Sequence, residues 1–368
     1  MVRIFCLGVG LVGSYVAKKL AQAGHEVHAF DPDPHRVSSF PGIMIHNLGQ
    51  DKNPVQVLSQ ILKTDNNIDF DTDNDIVVNM LPGDIGHEST SILANLPWKT
   101  VDLSFSAHTP DNFHIAAVKS GASIIWDTGI APGLSNMLLS EAHRSLGALK
   151  VGEVRVGGNP AQPTPGWKYM APFSPMDVIA EYTRPARVIR DSQVVILPPL
   201  SDRHNIRVPN KGNMEAFLTD GLRSVLYSIP SVNMSEYTVR WPGHIQKYID
   251  QRDSGTIDIN SLTKEWEYDN QTPEFTWMEV LAVGMDGTRV TWTVEDHGGD
   301  DGHSMARCTG LVTVCCVEEW ISDPQMIPIG VHPPEILSTE AVARVLNRMS
   351  DYGIVIDGPN FTSNDHRK

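Results

Sequence analysis

The sequence predicts an α/β protein in two parts: an N-terminal doubly wound parallel sheet of the Rossmann kind, then a mixed α+β domain. Three observations carry this. Short apolar runs alternate with helical segments as far as Trp126. A glycine-rich turn follows the first run, and beyond Ala131 the alternation gives way to shorter strand-like pieces joined by tight turns.

In chain order, Arg3 to Leu7 is an apolar run that reads as a strand, followed by Gly8-Val9-Gly10-Leu11-Val12-Gly13. Val12, Val16 and Leu20 recur at i, i+4 and i+8, and Gly24 stands where a helix C-terminus favours a left-handed residue. Glu26 to Phe30 reads as a second strand ending at Asp31, eighteen residues after Gly13. This βαβ unit has a physical logic. Gly8 permits a tight turn, Gly10 lets the backbone approach a pyrophosphate, and Gly13 lets the helix pack closely on the strand. The exposed amides around Leu11 and Val12 at the helix N-terminus add donors and a positive dipole. Asp31 is placed to accept hydrogen bonds from adenosine ribose hydroxyls and to repel a 2′-phosphate, so the expected cofactor is NAD rather than NADP. Arg36 is of a type that could meet a 2′-phosphate, and is expected instead to lie across the adenine.

The alternation continues with a strand from Ile43 to Leu48, a helix from Pro54 to Lys63 and a strand from Asp75 to Leu81. A strand from Thr100 to Phe105, a helix from Asp111 to Ser120 and a strand from Ser123 to Trp126 follow. Six strands with right-handed crossovers are expected. The C-terminal ends of the fourth, fifth and sixth read Leu81-Pro82-Gly83, Ser104-Phe105-Ser106 and Asp127-Thr128-Gly129, and are expected beside the nicotinamide, with Gly129 and Pro132 bending the chain past it. Asp102, inside the fifth strand, reads as a structural acceptor.

In the second part, Val151 to Val156 reads as a strand. Val188–Ile189 and Val194–Leu197 read as a hairpin turning at Asp191-Ser192, and Phe275–Val283 with Arg289–Glu295 as another turning at Asp286-Gly287. A helix is expected around Phe217 to Tyr227 and a strand from Tyr237 to Arg240. Ser304 to Trp320 is ambiguous: its Val, Thr and Cys content favours strand, its length helix. Val342, Val345, Leu346 and Met349 mark an amphipathic helix with Ser338 as its cap and Gly353 after it. The expected division is a dinucleotide domain over 1–130, a substrate and oligomerisation domain over 131–325, a segment over 326–356 whose helix packs on the first domain, and a polar tail over 357–368.

Composition excludes several function classes. With 44 acidic against 29 basic residues the net charge is −15, and no basic cluster is present, which argues against nucleic acid as partner. Met1 leads directly into the first strand with no apolar leader, and no long apolar segment follows, so a cytoplasmic protein free of membrane is expected. Cys6, Cys308, Cys315 and Cys316 lack metal-ligand spacing and read as reduced, buried thiols. His297, Asp300, Asp301 and His303 are metal-capable types, but the glycines between them indicate a solvated loop, and no metal is expected.

Five ordered stretches then carry a resemblance: Asp127-Thr-Gly-Ile-Ala-Pro-Gly-Leu-Ser-Asn136, Phe173-Ser-Pro-Met-Asp-Val-Ile-Ala-Glu-Tyr-Thr-Arg-Pro-Ala-Arg187, Thr219-Asp-Gly-Leu-Arg223, Arg240-Trp-Pro-Gly-His244 and Ser304-Met-Ala-Arg-Cys-Thr-Gly310. With the glycine fingerprint they resemble the saccharopine dehydrogenase family, and within it most the lysine 6-dehydrogenase branch. The resemblance implies a nicotinamide dinucleotide, a small amino-acid substrate oxidised at a carbon bearing an amine, and a homo-oligomer formed through the second domain. Asp296 to His303 and Cys308 depart from the pattern of that branch.

Oxidising an amine requires a neutral nitrogen when hydride leaves, so a base must take a proton. Asp127, at the sixth strand's end, is one candidate; its alternative work is capping the amides of the Gly129–Gly133 turn. His244 is the other, with an alternative as a core histidine bonded to a carbonyl. Arg240 and Arg223 are candidates for the substrate carboxylate, or for salt bridges with Asp220 or Glu215. Trp241, with Trp167 and Trp277, is a candidate to line an apolar slot for the substrate side chain, or to pack in the core.

Overall fold

The computed structural model describes residues 1–48, 53–64 and 70–359. These form two compact units, Met1–Leu134 with Thr309–Val345, and Ser135–Cys308 with the residues from Leu346 onward.

The first unit holds a seven-stranded sheet in the order Gly330–His332, Ser123–Ile125, Lys99–Asp102, Ile76–Asn79, Arg3–Leu7, Glu26–Asp31, Ile43–Asn47. Every neighbouring pair is parallel. Sheets of this kind are covered on both faces, which is why these strands are apolar nearly throughout. Phe5, Leu7, Phe30, Val77, Trp98, Ile124 and Trp126 form the core. The strand order reverses between Arg3–Leu7 and Ile76–Asn79, the switch point at which open α/β sheets bind ligands. Gly24 ends the first helix at φ +91° as expected.

Two elements of this unit differ from expectation. Gly83–Leu93 is a helix, although its polar sequence and internal Gly86 gave no helical period. Gly330–His332 adds a seventh strand in register with Ser123–Ile125; three residues are too few to show an alternation.

The second unit is built on a nine-stranded mixed sheet. Its main path runs His204–Val208, Gly212–Leu218, Ser231–Arg240, Leu149–Pro160, Glu274–Gly284, Arg289–Asp296, Val355–Asp357, and Ala186–Arg190 joins Ser231–Arg240 to Gln193–Leu197. Only Ser231–Arg240 with Leu149–Pro160 is parallel. Asp191 and Ser192 turn their hairpin with both φ positive, 49° and 63°, the primed geometry that matches strand twist.

The helix expected over Phe217–Tyr227 is a correction. Phe217 and Leu218 end a strand paired with Tyr237 and Thr238, and only Val225–Ser228 is helical. Gly221 breaks the segment, where a Cβ would stand 2.7 Å from the Glu236 carboxyl carbon. The ambiguous stretch is a 19-residue helix, Ser304–Ser322. Met305, Cys308, Leu311, Val312, Cys315, Cys316 and Trp320 are all buried along it, so burial and not propensity decides it.

The last helix, Thr339–Asp351, starts in the first unit and ends in the second, with Ala341 N–H donating to Ser338 Oγ at 3.2 Å. Val355–Asp357, at the border of the expected tail, is the second sheet's edge strand. Residues 360–368 of that tail lie outside the described residues. Among the described residues no helix is long and apolar enough to cross a membrane.

Candidate active site

At the switch point the glycine loop is shaped by close approach. Gly8 has φ +87°, and a Cβ there would stand 2.9 Å from Met80 O. A Cβ on Gly13 would stand 2.3 Å from Gly8 O, so only glycine lets the helix Leu11–Gln22 rest on the loop. A Cβ on Gly10 would meet nothing within 4 Å, and Gly10 is exposed. Its open side leaves the first helix amides free to face a pyrophosphate. Asp31 closes the loop from the second strand: Val9 N–H donates to Oδ2 at 2.7 Å and Asp33 N–H to Oδ1 at 2.7 Å. Each oxygen keeps an acceptor site for a ribose hydroxyl. Arg36 is exposed on the short turn of helix after it. These residues fit a dinucleotide.

The neighbouring strand ends meet over a buried polar network. Asp102 accepts from Ser104 N–H at 2.8 Å and Ser104 Oγ at 2.6 Å, and its other oxygen contacts Thr90 Oγ1. Asn79 Nδ2 donates to Gly86 O at 3.0 Å and to Thr90 Oγ1 at 3.1 Å. Thr128 N–H reaches Asp102 O at 3.1 Å, and Thr313 Oγ1 donates to Thr128 O at 2.9 Å. Burial raises Asp102 to about 6 against the pull of these hydrogen bonds, with the nearby Asp127 charge adding to the rise. Asp102 thus ties Ser104 and the adjoining Phe105 to the Gly83–Leu93 helix, which opens at Pro82 and Gly83 beside Leu81. Asp127 is buried and takes a left-handed conformation, φ 54°, uncommon for a residue with a Cβ but tolerated by aspartate. Gly129 and Gly133 bridge each other around a cis Ala131–Pro132 bond, and a Cβ on Gly133 would lie 2.0 Å from Gly129 O. Parallel strands put all these groups at one edge of the sheet.

The second unit gathers a different set. Arg240 is buried and held on three sides: Nε donates to Tyr182 Oη at 3.0 Å, Nη2 to Tyr169 Oη at 3.3 Å and Nη1 to Val239 O at 3.0 Å. Its guanidinium lies 4.5 Å from the Tyr169 ring centroid. Tyr182 Oη lies 2.9 Å from His244 Nε2, and His244 Nδ1 lies 2.8 Å from Trp167 O. A carbonyl only accepts, so Nδ1 carries the proton and Nε2 accepts from Tyr182. Burial lowers His244 to about 3, with the Arg240 charge adding to the fall. The proton-shuttle expectation for His244 is therefore corrected: it is neutral, 1% exposed and bonded at both nitrogens. It positions Tyr182.

Trp241 is a second correction. Its indole N–H donates to Pro160 O at 2.8 Å and its ring packs in a buried cluster with Phe275 and Trp277, away from solvent. Trp167 is buried as well, its N–H on Glu265 at 2.7 Å. Arg223 is 1% exposed, with φ 57°. The carboxylates proposed as its partners or those of Arg240 are taken elsewhere: Asp220 by a two-pronged bond from Arg187 at 2.9 and 2.8 Å, Glu215 by Arg203 at 2.6 Å.

Asp296 to His303 is not simply solvated. Arg307 binds Asp296 at 2.8 Å, contacts Asp301, and donates to Tyr352 O at 2.5 Å. Among the described residues no three His, Cys, Asp or Glu side chains are arranged to hold a metal. All four cysteines are buried free thiols, and burial pushes Cys6 up to about 12.

Tyr169, Tyr182, Glu181 and Glu236 belong to the second cluster and were not anticipated. Tyr182 and Glu181 stand inside one of the motifs quoted above, yet no periodicity marks them; their helix, Pro175–Thr183, was not expected either.

The fold and the glycine fingerprint define a Rossmann-type α/β protein with an added mixed-sheet unit. Residues 129–354, more than half of the chain, match the saccharopine dehydrogenase C-terminal domain, and the chain belongs to the saccharopine dehydrogenase family. Its fold is similar to that of apo saccharopine dehydrogenase (L-Glu forming) from Saccharomyces cerevisiae, at 15% identity and TM-score 0.71, over 98% of this chain and 100% of that one. It is also similar to homospermidine synthase from Legionella pneumophila, a complex with NAD, at 13% identity and TM-score 0.62, over 100% of this chain and 93% of that one.

Proposed function

We propose that this protein is an NAD-dependent oxidoreductase acting on the CH–NH2 group of an amino acid, oxidising L-lysine at C6 to the 6-semialdehyde, which cyclises, with release of ammonia. The observation that carries the cofactor is Asp31, whose carboxylate stands over the glycine loop with an acceptor site on each oxygen. A negative charge there disfavours a 2′-phosphate. The bound nicotinamide supplies the hydride acceptor.

The chain's own residues divide the remaining work. Gly8, Gly10 and Gly13 bring the backbone to the pyrophosphate. Ser104, held by Asp102, and the turn from Gly129 to Gly133 shape the nicotinamide end. Asp127 takes the proton from the substrate amine so that its lone pair is free when hydride leaves carbon. Water then adds to the iminium carbon and ammonia departs. Arg240 receives the substrate carboxylate, held by Tyr169 and Tyr182 in one orientation, while neutral His244 holds Tyr182. We place the enzyme in the cytoplasm as a homo-oligomer.

The test is NADH formation followed at 340 nm with NAD or NADP and a panel of lysine, ornithine, saccharopine and related diamines. Lysine turnover with one ammonia per NADH, and NAD preferred over NADP by about tenfold or more, is the expected result. Activity with saccharopine alone would replace lysine by a secondary amine, and a preference for NADP would remove Asp31 from ribose recognition.

A further inference from the structure

The cluster around Arg240 contains a charge that the proposed reaction does not use. Glu181 follows Ala180 on the Pro175–Thr183 helix and directly precedes Tyr182, whose hydroxyl binds Arg240 and His244. Its carboxylate feels Arg240 and Arg184 as positive neighbours and Asp177 as a negative one. Two further acids of the cluster are accounted for. Asp220 is bound by Arg187, and Glu236, raised to about 8 by burial, is protonated at neutral pH with Thr219 Oγ1 at 2.5 Å.

Glu181 thus feels the Arg240 charge from the residue next to Tyr182, which binds Arg240, yet no hydrogen bond joins Glu181 and Arg240. Arg240 is fixed by Tyr169, Tyr182 and Val239 and cannot swing, and these bonds use three of its five N–H groups. Glu181 forms no hydrogen bond with the described residues and is partly open to solvent, whereas Tyr169, Tyr182, Arg240 and His244 are buried. Burial raises Glu181 to about 7 although Arg240 pulls it down, as befits a carboxylate without a cation in contact. Enclosed charges are ordinarily paired, because an unpaired one loses its hydration for nothing. A fixed cation with two spare donors beside an open carboxylate with spare acceptors matches a zwitterion.

We infer that Arg240 and Glu181 form a receptor for the head group of an amino acid, Arg240 taking the carboxylate and Glu181 the α-ammonium. The inference takes its ligand class from the proposed amino-acid oxidation and names the groups that select it. The remaining amine of a lysine is left free to react.

The test measures binding by titration calorimetry on the NAD-loaded protein, with three probes: L-lysine, 6-aminohexanoate, which lacks the α-ammonium, and cadaverine, which lacks the carboxylate. Each truncated probe is expected to bind about 10- to 100-fold more weakly than lysine, the effect of one charge-assisted contact. In Glu181→Gln the gap between lysine and 6-aminohexanoate should close to within about twofold, while the gap between lysine and cadaverine persists. A merely structural role would weaken all three probes alike. If Glu181→Gln fails to melt cooperatively, Glu181→Asp serves, with a narrowed gap expected and an unchanged one fatal. A gap that survives in Glu181→Gln, or no binding of any amino acid, overturns the receptor. NADH formation distinguishes the two readings. Turnover of an amino acid with a gap indifferent to Glu181 sinks the receptor alone, and a Glu181-dependent gap without turnover sinks the reaction alone. Should another amino acid be the one oxidised, it and its des-amino analogue replace lysine in the same comparison.

Discussion

Glu236 shows how much a single buried carboxyl can impose. It is 4% exposed, and burial pushes it to about 8, only partly offset by Thr219 and the Gly221 amide. The sign follows directly. The unfolded chain releases this proton near pH 4.5 while the folded chain keeps it to about 8, so the fold is favoured below this window and loses that advantage as pH rises through it. Glu236→Gln keeps the shape without the titration. It is expected to flatten stability between pH 5 and 8 by about 3–4 kcal/mol relative to the parent, read from denaturant melts at several pH values. An equal slope in both proteins would show that Glu236 ionises normally. His244 acts with the opposite sign: its lowered value makes the fold lose stability as pH falls from 6.5 toward about 3. Neither effect is visible in a sequence, since both depend on which residues close over the group.

Among elements, the first loop and helix are the most constrained. Gly13→Ala places a Cβ where Gly8 O lies 2.3 Å away, backbone against backbone, with no flexible side chain to yield. The helix must lift from the strand, at a cost of about 2–3 kcal/mol, and the amides facing the pyrophosphate move with it. Thermal melting should show the loss, and NAD affinity by fluorescence titration should fall about tenfold or more. A folded Gly13→Ala protein with parental NAD affinity would remove the loop from cofactor binding. This element was legible because its function and its packing use the same glycines at fixed spacing. The helix Pro175–Thr183 was not. Its residues serve a buried cluster made with Tyr169 and Arg240, far apart in the chain, so no local period records them.

At the scale of the whole chain, the final segment returns an edge strand to each sheet: Gly330–His332 to the first and Val355–Asp357 to the second. Unpaired edges promote association with other chains. A chain ending at Ile329 loses both strands and the helix between them, and is expected to be recovered as aggregate. Ending at Ile354 removes the three-residue edge of the second sheet and the residues after it, with the Pro359 carbonyl that accepts from the Trp292 indole, and should leave a soluble protein whose Tm falls by about 2–4 °C. Gel filtration and melting decide between them. Soluble, cooperatively melting protein from the shorter chain would show that the edges are not needed.

The sequence by itself determined the doubly wound sheet, its glycine loop and Asp31, because strand alternation, helix period and turn chemistry are local and repeat at short range. It also determined the family, through motifs that stay contiguous in the chain. What only the tertiary structure decided is the chemistry of the second unit. Arg240 was visible as a type, but its tyrosine holders, the neutral state of His244 and the open carboxylate of Glu181 were not. Trp241 and His244 read as site residues because their types suit binding and proton transfer. Burial gave their polar atoms backbone partners instead, at Pro160 and Trp167. Charge state and access are set by what packs around a group, and packing joins residues that the sequence keeps apart.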